Sequence, residues 1–268
     1  MLQSSMWPQL ARLKFCFEYS GKRTTMTRAD LGPMKNILDR AMEEMNLLDS
    51  SNKHWICKGR RSLAVAVTFF RKNKIIAIPT DTVYGLASVC EPSAIKRLYE
   101  IKGRNENKPL CISVGNVTDI QKWGIVDHLP QQLLPDLLPG PYTVVLKRTP
   151  AVHPSLNPGV NTIGIRVPDF PFINKISNII GPLALTSANR SNEPSCLHAE
   201  EFQNLWPELD GIFYDTRRAG DARDIFRKGS TIVDLSCPNR YKIIRVGVGA
   251  QYLIGTVECA GLKPYDPD

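Results

Sequence analysis

No stretch of this 268-residue chain is apolar for long enough to cross a bilayer. The longest apolar runs, residues 63–67 and 75–78, fall far short of the roughly 20 residues that a spanning helix needs, so a soluble protein without a membrane span is expected. Cysteine is present only as seven scattered residues, an odd number with no CxxC pair. The four histidines, His54, His128, His153 and His198, show no metal-ligand spacing. Together these exclude a disulfide framework and argue against a structural metal, and a reducing compartment is expected. Cys90 and Cys111 lie in or beside apolar segments and read as small core residues. Also missing are GxxxxGK(S/T), a GxGxxG after a strand, HExxH and GxSxG, so any nucleotide must be held by a pocket outside those families. No Ser-His-Asp or Cys-His arrangement offers a side-chain nucleophile.

What is present is a globular composition, 43% hydrophobic and 22% charged, able to bury a core. The net charge of +8 favours phosphorylated or polyanionic partners, although a solvated basic surface explains it equally well. Residues 1–28 hold Arg12, Lys14, Lys22, Arg23 and Arg28 against Glu18, which is half of the net charge of the chain. That composition fits either a mitochondrial presequence or a disordered basic extension. Met26 and Met34 offer internal starts for an untargeted form, so both cytoplasm and mitochondrion are expected locations. Residues 35–48 can form an amphipathic helix, which Ser50-Ser51-Asn52 breaks. The domain division expected is an extension over 1–55, a catalytic domain over 56–256 and a tail over 257–268.

Strands alternate with helices along the rest of the chain, which points to a mixed α/β sheet. A helix is expected over 61–72, a buried strand over 75–78, and a helix opened by Pro92 with Ile95, Leu98, Tyr99 and Ile101 on its apolar side. Short helices follow at 116–123 and 130–138. Strands are expected at 143–147, 162–167, 183–186, 212–214, 230–235 and 241–246, with helices at 170–180 and 198–206. Residues 215–228 read as a charged, mobile loop, and 263–268 as a polar tail.

Residues 74–113 carry the clearest chemistry: a strand, the hydroxyl-rich turn Thr80-Asp81-Thr82-Val83-Tyr84-Gly85, a helix, and the basic turn Lys102-Gly103-Arg104 with Lys108. Further strand ends bear Thr143, Thr162 with Arg166, Ser187 with Asn189, Ser230 with Thr231, and Arg245. A serine at one strand end is usually only a turn or cap residue, and Lys102 alone would suit a helix C-terminus. As a set they suit a triphosphate, since Arg and Lys make charge-assisted bonds to phosphate oxygens and hydroxyls add neutral donors. Nucleotidyl transfer needs mainly positioning and charge neutralisation, which agrees with the missing nucleophile.

The segments PTDTVYGL, KGRNENKPL, LLPGPYTVVL, TIGIRVPD, LALTSANRSNEPS and GSTIVDL…IIRVG occur here in an order that resembles the YrdC family, in its short eukaryotic form, over about residues 60–250. The resemblance implies a twisted open α/β sheet with flanking helices around a basic concave cavity. It implies a nucleotidyltransferase that joins L-threonine, bicarbonate and ATP, with Mg²⁺ on the phosphates, into threonylcarbamoyl-AMP and pyrophosphate. The product would pass to a KEOPS-type transferase complex that modifies tRNA. By the same resemblance Thr82, Ser113, Arg166, Leu185 and Ser230 would surround threonine. Arg104, Lys108, Thr162, Ser187, Ser195 and Arg245 would line the ATP side, with Lys102 and Arg104 as the catalytic KxR pair at the phosphates. Ser113 stands where archaeal relatives carry histidine, Lys108 where many carry asparagine, and Val246-Gly247 where Pro-Gly is usual. The alternative from another class is a module that binds double-stranded RNA or tRNA without synthase activity, reading shape through a basic surface.

Overall fold

The computed structural model describes residues 53–215 and 224–265. The expected helix at 35–48, the amino-terminal extension and most of the expected loop at 215–228 lie outside the described residues.

The opening helix is α1 (Gly59–Arg71), as the length of its apolar segment and the turn at Lys72-Asn73 suggested. It leads through Asn73, in the left-handed region at φ 55°, into β2 (Ile76–Pro79). Every residue of β2 is buried, because its side chains alternate between two covered faces. The segment after it departs from expectation. Residues 80–83 do not lead to a helix but turn the chain into β3 (Tyr84–Val89), antiparallel to β2 with Pro79 opposite Tyr84. Then comes α2 (Pro92–Lys102), with Pro92 in its first turn and Gly103 ending it at φ 57°. Glycine takes that left-handed backbone most readily, so the KGR turn is a helix stop as well as a source of cations.

β4 (Cys111–Ser113) follows, then a 3₁₀ turn (Val117–Asp119), α3 (Ile120–Trp123) and α4 (Leu133–Leu137). β5 (Tyr142–Lys147), β6 (Thr162–Arg166), α5 (Pro171–Ile180), β7 (Leu183–Ser187) and β8 (Gly211–Tyr214) fall close to expectation. The helix expected at 198–206 is instead a kinked 3₁₀ stretch, Ala199–Glu208, with Phe202 off helical geometry and Pro207 inside it. Asp224–Lys228 forms a further 3₁₀ turn before β9 (Thr231–Asp234) and β10 (Arg240–Arg245). Folded structure begins before residue 56, with β1 (His54–Ile56), and runs beyond residue 256. The expected tail contains the end of α6 (Ala250–Cys259) and the edge strand β11 (Lys263–Pro264).

The described strands form one mixed sheet in the order β1-β8-β2-β3-β7-β4-β6-β5-β9-β10-β11. Helices α1 and α5 pack on each other, and Phe69 and Phe172 meet Phe213 of β8 beneath them. The other face carries the continuous core of Ile75, Leu86, Leu98, Val144, Ile165 and Phe202. The mixed α/β sheet with flanking helices is therefore as the sequence suggested. Among the described residues no helix is long and apolar enough to cross a membrane.

Candidate active site: a basic cleft across the central strands

Register places the site. Leu185 of β7 pairs with Cys111 of β4, and Cys111 pairs with Gly164 of β6. Thr143 of β5 pairs with Ile232 of β9, and Ile232 with Arg245 of β10. Side chains paired in this way project from the same face of a sheet. Leu185, Cys111, Thr143, Ile232 and Arg245 all line one cleft, joined by Thr80, Tyr84, Arg104, Arg166, Ser187, Ser195 and Ser230. Gly164 keeps its floor open, since an added Cβ would lie 3.2 Å from Thr143 Cγ2 and 3.3 Å from the Cβ of Cys111. A second hollow, between the end of α1, Cys90 and Pro182, contains none of the expected site residues.

Among the described residues three guanidinium groups enter the cleft, and none of the lining residues is acidic. Arg104 is held from Nε by the carbonyl of Lys108 (3.1 Å) and from Nη2 by that of Pro109 (2.9 Å). Arg245 donates from Nε and Nη2 to the carbonyl of Ser230 (3.2 and 2.8 Å), and from Nη2 to Ser230 Oγ (3.0 Å). Ser230 Oγ also pairs with Thr143 Oγ1 at 2.9 Å. Burial lowers the Arg245 pKa, and the charges of Arg166 and Arg104 lower it further, as expected of cations crowded around one space. A guanidinium stays protonated regardless. The crowding is an electrostatic cost that an anion would relieve.

Arg166 is buried at the end of β6. Its Nη2 donates to Asp81 Oδ1 at 2.8 Å and to Thr82 Oγ1 at 3.2 Å. Thr80 spends its own hydroxyl proton on the carbonyl of Val83, 2.7 Å away. In the 3.2 Å contact between the two threonine hydroxyls, Thr82 is therefore the donor. Hydrogen bonds thus run from Arg166 through Thr82 and Thr80 to the backbone. Among the described residues four buried polar side-chain atoms have no partner in the protein, and two of them, Arg166 Nε and Ser113 Oγ, belong to this region. Ser113 and Arg166 are register partners of the parallel pair β4–β6, so these atoms belong to neighbouring side chains on one face. Buried polar groups are normally bonded, and two orphans side by side are the mark of a ligand-binding position.

The expected residues divide. Arg104, Arg166, Leu185, Ser187, Ser195, Ser230 and Arg245 line the cleft. Thr82 and Ser113 are fully buried behind its wall, whereas Thr80 of the same hydroxyl-rich turn as Thr82 is on the wall. Lys108 is exposed, with Nζ 3.3 Å from Asn192 Oδ1, and Thr162 is half-buried opposite Lys147; neither lines the cleft. Lys102 is the sharpest departure. Its ammonium is buried and donates to the carbonyls of Ser187 and Asn189, both at 2.7 Å, with Ser187 Oγ at 3.2 Å and Asn189 Oδ1 at 3.1 Å. Four acceptors exceed its three protons. Burial, then the charge of Arg104, lowers its pKa to about 8. Lys102 fastens the turn after β7 and does not line the cleft. Thr143, one of the strand-end hydroxyls expected to face a triphosphate, is on the wall, whereas Cys111 was expected in the core; sheet register, which no short motif carries, brings it in.

Among the described residues no cluster of three His, Cys, Asp or Glu could hold a metal ion.

Fold and cleft together define an α/β protein with a basic cleft on one face of a mixed sheet. The model of the Sua5/YciO/YrdC family, which carries the description telomere recombination, matches residues 68–247. A threonylcarbamoyl-AMP synthase of Bos taurus is 42% identical over 206 residues, 76% of this chain and 74% of the relative. One of Homo sapiens is 44% identical over 189 residues, 69% of this chain and 67% of the relative. Among solved structures, P. abyssi Sua5 complexed with L-threonine aligns with a TM-score of 0.62 and 27% identity over 76% of this chain, which spans 59% of that one. E. coli YciO aligns with a TM-score of 0.64 and 26% identity, over 73% of this chain and 94% of its own. The chain belongs to the Sua5/YciO/YrdC family.

Proposed function

We propose that this chain is a threonylcarbamoyl-AMP synthase, using L-threonine, bicarbonate and ATP. The observation that carries the reading is the crowding of Arg104, Arg166 and Arg245 on one cleft without a lining carboxylate. The names of the relatives and the threonine-bound P. abyssi structure supply the chemistry.

Threonine's carboxylate is assigned to Arg166 Nε and Ser113 Oγ, the orphaned groups of paired positions on β6 and β4, with Thr82 and the Leu185 backbone beside them. The triphosphate is assigned to Arg104 and Arg245, with the hydroxyls of Ser187, Ser195 and Ser230. Mg²⁺ travels with ATP and shares the charge of its phosphates. Lys108 and Thr162 are assigned to the outer rim of the nucleotide site.

Threonine's ammonium releases a proton, and its amine attacks bicarbonate to give a carbamate and water. A carbamate oxygen then attacks the α-phosphorus as the bond to the β-phosphate breaks, releasing pyrophosphate. Arg104 and Arg245 stabilise charge on the leaving group, and Arg166 fixes the nucleophile's other end. The product is a mixed anhydride, suited to transfer of its threonylcarbamoyl group to a tRNA base by a separate transferase of the KEOPS type. The residues before 53 are assigned as an extension outside the catalytic domain, with a mitochondrial as well as a cytoplasmic form. A fluorescent fusion of residues 1–30 that stays out of mitochondria would remove that assignment.

The reading requires pyrophosphate release that depends on all three substrates and is lost in Arg104→Ala and Arg245→Ala. Release that is independent of threonine would overturn it. Salt-sensitive RNA binding with no pyrophosphate release would favour the RNA-binding module instead.

A further inference from the structure

We infer that Asp81 is a positioning residue for the amino-acid half of the site: it sets the orientation of Arg166 and leaves only Nε and Nη1 of that guanidinium for the ligand. The inference rests on the synthase reading and deepens it.

Asp81 sits in the turn between β2 and β3, and its side chain is nearly as buried as that of Arg166, 8% against 7% exposed. One carboxylate oxygen, Oδ1, accepts from Arg166 Nη2 at 2.8 Å, and the other, Oδ2, accepts from the backbone N–H of Asp169 at 3.1 Å. A single carboxylate thereby ties the β2–β3 turn both to the last residue of β6 and to the loop beyond it. Nη2 has two protons, and Asp81 and Thr82 take both. A guanidinium anchored on one nitrogen by a charged and a neutral acceptor cannot turn about its axis without breaking both bonds. The orphaned Nε belongs to a side chain fixed in this way, on the strand position paired with Ser113.

Charge supports the same role. Arg104 and Arg245 are held by backbone carbonyls and a serine hydroxyl, whereas Arg166 carries a carboxylate partner. Arg166 is thus the cleft arginine whose charge is largely offset before a ligand arrives. That suits a single carboxylate, while the uncompensated Arg104 and Arg245 suit the more highly charged phosphates. Asp81 does not line the cleft, so it acts through Arg166 rather than on substrate.

Asp81→Asn nearly keeps the shape and removes the charge, and the amide can accept from only one of the two N–H groups with its oxygen. Loss of one bond to a charged group is worth about a tenfold change in affinity or more. The full chain, with saturating bicarbonate, is expected to show a threonine KM raised about tenfold, an ATP KM within about twofold, and a far smaller change in kcat. Calorimetry with L-threonine alone should show the same loss. Placed in Arg166→Gln, Asp81→Asn should add nothing further to the threonine KM, because the residue through which it acts is gone. A brace for the fold alone would instead lower thermal stability and affect both substrates equally. A threonine affinity unchanged in Asp81→Asn, or effects of the two substitutions that multiply, would overturn the inference. Wild-type protein that binds threonine but forms no adenylate would overturn the synthase reading and leave the calorimetric comparison intact. Wild-type protein that fails to bind threonine would overturn both.

Discussion

The ammonium of Lys102, at the end of one helix, holds the backbone carbonyl of Asn189, 87 residues further along the chain, at 2.7 Å. With the equally short bond to Ser187, this makes the lysine a buried fastener for the turn that presents the Ser187 hydroxyl to the cleft.

Lys102→Met keeps the length of the side chain and leaves those carbonyls without their donor. The cost of unpaired buried acceptors, partly relieved by removal of a desolvated charge, is about 2 kcal/mol of stability. Urea unfolding would measure it. Adenylate formation should fall with it, chiefly through a raised ATP KM. Normal turnover and stability would mean that the fastener is dispensable.

The same lysine gives a pH signature with opposite signs in two measurements. Its pKa in the fold is lowered from 10.5 to about 8, so between those values the unfolded chain binds more protons than the folded one. This group therefore adds to stability as pH rises through that window. Over the same window it gives up the positive charge that grips the turn. kcat/KM for ATP, at saturating threonine, should decline as pH rises above about 8, where the phosphates no longer titrate. The pH–rate profile tests this, and a flat profile to pH 10 would contradict it.

Ser113→Ala separates binding from folding. The hydroxyl is buried with no partner in the protein, so its loss should leave stability unchanged or raise it by about 1 kcal/mol. If it meets threonine, the threonine KM should rise by about fivefold with little change for ATP. Thermal melts and steady-state kinetics on one preparation decide both points.

Gly247→Ala tests the Arg245 anchor. A Cβ at this position would lie 2.5 Å from the carbonyl oxygens of both Gly229 and Ser230, backbone that cannot yield cheaply. Ser230 must shift, and with it the hydroxyl and carbonyl that hold Arg245. We expect a loss of about 2 kcal/mol or more in urea unfolding and a raised ATP KM.

Much of this architecture is legible in the sequence because each element has a local signal. Pro92 and Gly103 bracket α2, and the apolar run at 75–78 announces β2. β3 was missed because Gly85, Ala87 and Ser88 are poor strand formers by composition, and the strand is covered on both faces, so alternation is absent. α6 was missed because Gly255 and the β-branched Ile254, Thr256 and Val257 blur its period. The edge strands β1 and β11 span three and two residues, too short for any pattern. In the site, residue types were legible and their orientation was not. Nothing near Lys102 in sequence reveals that its acceptors come from the end of β7. Nothing near Asp81 reveals that it reaches both Arg166 and Asp169.

The central claim is the chemistry of the cleft, and following the carbon of bicarbonate tests it most directly. The full chain, incubated with labelled bicarbonate, L-threonine and Mg-ATP, should yield a chromatographically resolved adenylate that carries the label, with equimolar pyrophosphate, and at low threonine Arg166→Gln should reduce its yield sharply. Adenylate formation without incorporation of the label, or ATP left intact with all three substrates present, would contradict the account.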